Sequence, residues 1–298
     1  MIGIIPIVAS LVGCVVLNQP VLSCVPYAIS EENHPVNIAR RVPHKTGDAI
    51  DVVLSAQSAL VWDVETKTIL YDRNASTRRP IASLNKLLSA LAVRELLPST
   101  ATIVTIPPEV KAAQQGGANI KLPIAGHASV QELLGASLIR SANDAIVTLA
   151  VAGKGSEDDF VKYANDYAVR HGLFDTKLAN ATGLEQGIQY STARDVMKML
   201  TLAYTDPVLR PFLSQYTGTL TTQEGVRREY VSTDELIGTY LPILAGKTGY
   251  TIAAKENLAI ITQGKNGKKI GAVILGSDNR FQDMKIVVEW IWRNYTWP

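Results

Sequence analysis

Strand-forming runs sit at both ends of this chain and helical patterns fill the middle, an order that restricts the fold more than any figure of composition. Towards the N-terminal end, Ser58-Ala59-Leu60-Val61-Trp62-Asp63-Val64 reads as a strand and Glu65-Thr66-Lys67-Thr68 as a turn. Ile69-Leu70-Tyr71-Asp72 is the return strand of that hairpin. Towards the C-terminal end, Leu244–Thr248, Asn257–Gln263 and Ile270–Gly276 read as strands, followed by an amphipathic helix over Arg280–Asn294. Between them an apolar-periodic run from Ser83 to Leu97 stops at Pro98, and helical patterns follow at about 129–140, 142–152, 156–172 and 192–204. Strands this far apart share one core if both ends build a single sheet. The expected fold class is therefore α/β in content (α+β in order). It has an antiparallel sheet built from both chain ends, flanked by helices, with an inserted helical lobe.

Composition excludes several functions. The 298 residues are 47% hydrophobic and 19% charged, which describes a globular chain. A net charge of +2, with no basic run interleaved with aromatics, argues against nucleic acid as a partner. The cysteines are Cys14 and Cys24, both near the N-terminus, so the body has none for a disulfide framework, a zinc cage or a thiol nucleophile. His34, His44, His127 and His171 show no metal-ligand spacing and read as surface or structural residues. No metal and no cofactor is expected.

Residues 1–28 are apolar and lack any charged side chain, while Pro6 and Pro20 interrupt them too often for a long membrane helix. They read as an export signal, although the usual basic n-region is missing; a start codon placed too far downstream would explain that. Two processing sites compete. Leu11-Val12-Gly13-Cys14 resembles a lipobox, which would lipidate Cys14 as an N-terminal membrane anchor. A cut near Ala28 would instead leave Cys14 as an ordinary apolar residue of the signal. Both place the protein in the periplasm or cell envelope. Residues 29–52 lack periodicity and read as a linker, and 53–298 as the folded domain.

Three short strings carry chemistry. In Ser83-Leu84-Asn85-Lys86, Ser83 opens a helical run, where a serine is usually an N-cap. Lys86, at i+3, shares its helix face, and Ile81, Ala82, Leu84, Leu87 and Leu88 surround the pair with apolar surface. Loss of hydration favours a neutral lysine, and moving its pKa from ~10.4 to ~7 costs ~4.6 kcal/mol. Such a lysine could deprotonate Ser83. Ser141-Ala142-Asn143-Asp144 lies between two helical stretches, where Ser141 is either a cap or a proton shuttle and Asn143 a ligand to substrate or Lys86. Lys247-Thr248-Gly249 ends an apolar strand: Lys247 and Thr248 can hold a carboxylate, and Gly249 admits a ligand close to the backbone.

Longer segments around these strings resemble the penicillin-binding D-alanyl-D-alanine carboxypeptidases and endopeptidases, low-molecular-mass serine peptidases of the β-lactamase/transpeptidase-like fold. The resemblance runs from about Ser58 to the C-terminus. It includes Arg79-Pro80-Ile81-Ala82-Ser83, Asn180-Ala181-Thr182-Gly183-Leu184, Tyr190-Ser191-Thr192-Ala193-Arg194-Asp195 and Lys247-Thr248-Gly249-Tyr250-Thr251. It implies that Ser83 attacks the carbonyl between two D-alanines of a peptidoglycan stem peptide, with Lys86 as base. The amides of Ser83 and Tyr250 would form the oxyanion hole, and Ser141 and Lys247 would pass a proton to the departing amine. β-Lactams would acylate Ser83.

The chain departs from this family at Asn85, where many members have threonine, at Ala142, where many have glycine, and at Lys255-Glu256-Asn257, which replaces a glycine-rich stretch. The sequence ends soon after the last predicted helix, so the C-terminal β-domain of many carboxypeptidases is not expected, a layout that would resemble the soluble endopeptidase branch that cuts D-alanyl cross-links. Two alternatives stand beside this reading. A class A-type β-lactamase needs an Ω-loop glutamate with asparagine four residues on, but Glu185 has Gln189 there. A catalytically silent penicillin-binding sensor or scaffold is the other.

Overall fold

Two of the C-terminal strands are apolar through residues 258–261 and 270–275 because both faces of their sheet are covered. A computed structural model describes residues 42–47, 50–264 and 266–298. The predicted signal segment 1–28, Cys14, Cys24, His34 and the first part of the predicted linker lie outside them.

In chain order the strands and helices are β1 (His44–Lys45), β2 (Ser58–Asp63), β3 (Ile69–Arg73), α1 (Asn85–Leu96), β4 (Ile103–Thr105) and α2 (Val110–Ala113). Then come β5 (His127–Ser129), α3 (Val130–Ile139), α4 (Asn143–Lys154), α5 (Glu157–Arg170), α6 (Ala193–Thr205), β6 (Thr217–Thr221) and β7 (Arg227–Val231). The chain finishes with β8 (Ile243–Thr251), β9 (Lys255–Gln263), β10 (Lys269–Ser277), α7 (Arg280–Asn294) and β11 (Tyr295–Thr296). The main sheet has the order β3-β2-β10-β9-β8, antiparallel throughout, so both chain ends supply its strands as expected.

Side-chain alternation divides the interior in two. Ala59, Val61, Leu258, Ile260, Ala272 and Ile274 point to one face and pack with Met284, Val287, Val288 and Ile291 of α7. Those α7 positions recur at i, i+3, i+4 and i+7, the spacing of one helical stripe. Leu60, Ala259, Ile261, Val273 and Leu275 point the other way and pack with the helical lobe. Each fully buried leucine or isoleucine contributes ~1.5–3 kcal/mol relative to exposure, so the sheet is anchored from both sides.

Helix starts follow local chemistry where side chains cap them. Ser129 accepts from Glu132 N–H in a full capping box, Ser156 from Asp159, Thr192 from Asp195 and Asn279 from Gln282. Helices α1 and α4, which carry the functional strings, have no side-chain cap.

The packed body begins earlier than the predicted 29–52 linker allows. β1 pairs with β11, Trp290 Nε1 donates to Ile50 O at 3.0 Å, and Val52 packs beside α7. These ties are long-range, so a stretch without periodicity gives no local sign of them. The hairpin β6–β7 and the pair β4–β5 were also not expected. In β6 and β7 only Leu220 and Tyr230 are buried, too few for an alternation to show in sequence.

Candidate active site

Helix α1 is the central helix of the lobe, with every residue from Asn85 to Val93 buried. A lysine on such a helix cannot snorkel to water. Lys86 is 0% exposed; its Nζ lies 2.9 Å from Ser83 Oγ, and it donates to Asn143 Oδ1 at 2.7 Å and Thr182 O at 2.8 Å. Burial pushes its pKa well below the ordinary lysine value, Lys247 pushes it further down, and Asp144 opposes both.

Ser83 is not an N-cap. It lies within a 3-10 turn, Ala82–Leu84, that feeds into α1. Ala82 adopts φ 49°, a left-handed conformation that costs a residue with a Cβ roughly 1–3 kcal/mol. Two glycines let the surroundings close on this turn. A Cβ on Gly183 (φ 85°) would lie 2.1 Å from Ala82 O, and one on Gly249 would lie 2.7 Å from Ile81 O and 3.1 Å from Ser83 N. Strand β8 therefore runs directly against the backbone of the serine turn.

Ser141 is no cap either, since Ala142 occupies that position on α4. Its own backbone is left-handed, φ 63°, and its Oγ accepts from Lys247 Nζ at 2.8 Å. Lys247 is 1% exposed, and burial, aided by Arg280 and opposed by Asp234, lowers its pKa to about 7. Thr248 is buried, and its Oγ1 shares a 2.5 Å hydrogen bond with Thr233 Oγ1. Tyr250 is 61% exposed at the rim. Asn143 is held by Nδ2 donation to Gly116 O at 2.9 Å, which aims its Oδ1 at Lys86.

Every predicted site residue thus comes together: Ser83, Lys86 and Asn143 in one hydrogen-bonded cluster, Ser141 and Lys247 in another, with Thr248, Gly249 and Tyr250 along β8 between them and the rim. Several participants carried no legible signal. Asp144 lies in the first turn of α4, where it is buried and accepts from the backbone of Ile120 and Leu122 and from Gln114 Nε2. Arg280, which opens α7, donates Nη1 to Gly249 O at 3.3 Å, bringing a further cation behind the glycine. Burial raises the Asp234 pKa, and its Oδ2 has no hydrogen-bond partner among the described residues. No local pattern marks Arg280 or Asp234, because their neighbours at the site are distant in sequence.

The family departures have structural partners. Asn85 Nδ2 donates to Asn180 O at 3.0 Å, and Glu256 accepts from Arg280 N–H at 2.9 Å. Glu185 accepts from the Thr251 hydroxyl and from Ala253 N–H, the latter at 2.8 Å, and these bonds hold its carboxyl below its ordinary pKa. It braces the β8–β9 turn, and a cavity of about 380 Å³ opens between Asn85, Gln189 and Thr251 on that side.

A five-stranded antiparallel sheet from both chain ends, with one lysine–serine pair in the helical lobe and a second spanning lobe and sheet, defines the β-lactamase/transpeptidase-like class. Solved structures agree on the fold. A D-alanyl-D-alanine carboxypeptidase from Mycobacterium tuberculosis superposes with TM-score 0.75 at 22% identity, covering 85% of this chain and 98% of that one. A Streptomyces DD-transpeptidase gives TM-score 0.76 at 23% identity, covering 82% and 100%. Within that class, the chain belongs to the D-alanyl-D-alanine carboxypeptidase family, whose sequence model matches residues 45–279. The carboxypeptidase DacF of Bacillus subtilis is 32% identical over 74% of this chain, which spans 57% of DacF. A D-alanyl-D-alanine endopeptidase of Pseudomonas aeruginosa is 29% identical over 84% of this chain and 81% of its own length.

Proposed function

We propose that this protein is a serine-type D-Ala-D-Ala carboxypeptidase or D,D-endopeptidase. It acts on peptidoglycan stem peptides through an acyl-enzyme on Ser83 and is acylated by penicillins. One observation carries the reading: buried Lys86 reaches Ser83 Oγ at 2.9 Å in surroundings that favour its neutral form.

Neutral Lys86 takes the Ser83 hydroxyl proton as Oγ attacks the carbonyl carbon between the two D-alanyl residues. The negative charge that develops on the carbonyl oxygen is met by the amides of Ser83 and Tyr250, the roles that the family resemblance assigns them. The C–N bond then breaks, and the departing amine takes a proton delivered through Ser141 and Lys247. Water attacks the Ser83 ester, giving the shortened stem and free serine. The terminal carboxylate of the substrate meets Thr248 and the positive charge of Lys247 and Arg280.

A β-lactamase of the class A type is disfavoured by the engagement of Glu185 with Ala253 and Thr251, away from Ser83. A silent sensor is disfavoured by the complete lysine–serine pairs. The apolar N-terminal segment supports export to the periplasm or cell envelope, with Cys14 lipidation as one form of attachment. Labelling with a fluorescent penicillin tests the reading. Wild type is expected to label and Ser83→Ala to remain unlabelled; label that survives Ser83→Ala overturns it, and rapid release of hydrolysed penicillin would favour a β-lactamase.

A further inference from the structure

Beside Ser141 lies a second, larger cavity, about 920 Å³, which the acyl-transfer chemistry leaves unused. Its walls include Lys121, Arg140 and Arg228, with Glu229 at the edge. Arg140 directly precedes Ser141. The loop carrying Lys121 is fastened to the same corner of the site, since Asn143 N–H donates to Ala118 O at 2.7 Å and Leu122 N–H to Asp144 at 3.0 Å. The opposite wall is the β6–β7 hairpin, and two residues beyond its end Thr233 bonds Thr248. The groove's walls therefore run directly into the segments that hold Ser141, Asn143 and Thr233, the partner of Thr248, on the side from which the leaving amine takes its proton in the proposed reaction. The smaller cavity, beside Thr251, lies past the other end of the Lys247-Thr248-Gly249 string.

Charge in the groove is poorly compensated. The Arg228 guanidinium is fixed by carbonyls of Ile120 at 3.1 Å, Lys121 at 3.2 Å and Arg227 at 3.2 Å, and by no carboxylate among the described residues. Glu229 lies 2.7 Å from Arg227, which takes up its charge. Lys121 Nζ donates to Gln114 O at 2.9 Å. Arg140 is half-buried and has no hydrogen bond or ion pair among the described residues. A guanidinium partly withdrawn from water without an acceptor is destabilising until an anion meets it, and its planar fork suits a carboxylate.

We infer that this groove holds the leaving stem of a cross-linked peptide, with Arg140 and Arg228 pairing carboxylates remote from the scissile bond. The inference rests on the serine-peptidase reading and specifies its substrate as a D-alanyl cross-link between two stems. Cavities of about 300–1,000 Å³ accommodate drug-sized ligands; free D-alanine is far smaller than that. The chemistry is unchanged: the same C–N bond breaks, and the proton goes to the amine of the second stem.

Three synthetic substrates test this with the full protein: a stem dimer with free carboxylates on the leaving half, the same dimer with the remote carboxylates amidated, and a pentapeptide. Wild type is expected to show ~10-fold higher kcat/KM for the carboxylate dimer, mainly through KM, since a charge-assisted hydrogen bond has about that effect. Arg140→Ala should abolish the preference and Arg140→Lys restore part of it. Penicillin acylation should stay within about twofold in both, because a charge at a binding rim acts on binding and not on the serine. Equal rates on the two dimers, or an Arg140→Ala loss of the same size on the pentapeptide, overturn the groove assignment. Normal penicillin labelling alongside either result leaves the serine-peptidase reading intact, whereas failure of labelling removes that reading first.

Discussion

Lys247 Nζ donates to Ser141 Oγ at 2.8 Å across a sequence separation of 106 residues. The bond joins strand β8 of the sheet to the start of helix α4 in the lobe, so the candidate active site lies on the seam between the two. The lysine is buried there at a cost in stability, and its lowered pKa is the measure of that cost.

That cost has a definite pH dependence. Lys247 has a pKa of about 7 when folded, against ~10.4 for an unfolded lysine. Between these values the unfolded chain binds a proton that the native site does not, so stability rises as pH increases through that window. The charge-free variant Lys247→Met is expected to be more stable than wild type at pH 7 by ~1–4 kcal/mol, with the difference shrinking towards pH 10. Urea denaturation at both pH values measures it; a variant less stable than wild type at pH 7 contradicts the assignment. Activity should fall despite the gain in stability.

Lys86→Arg tests the base. Arginine keeps the charge but cannot lose its proton at working pH. Stopped-flow acylation by penicillin is expected to slow by ~10²–10⁴-fold, the range general-base catalysis supplies. An unchanged acylation rate would refute proton transfer to Lys86.

Gly183→Ala should act on both fold and rate. The added methyl meets Ala82 O at a separation no packing tolerates, at a backbone φ that disfavours side chains. A loss of about 1–3 kcal/mol in stability is expected, together with slower acylation as the Ser83 turn shifts. Thermal unfolding and penicillin labelling report the two effects, and a variant normal in both would remove this turn from the account.

Asp144→Ala removes a carboxylate that holds the backbone of Ile120 and Leu122. Leaving those buried amides unpaired should cost ~1–3 kcal/mol each. The loop that carries Gly116, the acceptor for Asn143, should loosen with them. Hydrogen exchange at Ile120 and Leu122 should accelerate; protection equal to wild type would show that the carboxylate is not what secures the loop.

Much of this was legible because periodicity is a local property. The strands from Ser58 and the terminal helix Arg280–Asn294 appear where the apolar spacing places them. The serine strings were legible as a set, yet each was locally ambiguous: Ser83 and Ser141 have the composition of helix caps. The structure resolves that ambiguity by placing each serine outside the cap position with a lysine as partner. Hairpin β6–β7 leaves no such mark because a mostly exposed strand needs little apolar patterning.

Spacing and residue chemistry in the sequence alone account for the order of the main-sheet strands and of the longer helices, for the sheet built from both ends and for the choice of the serine–lysine set. Only the tertiary structure decided that Lys86 and Lys247 lose their hydration, that Arg280 and Asp234 join them, and that Arg140 faces a groove beside Ser141. Burial and electrostatic coupling depend on residues brought together from distant parts of the chain, and no window of neighbouring residues contains them.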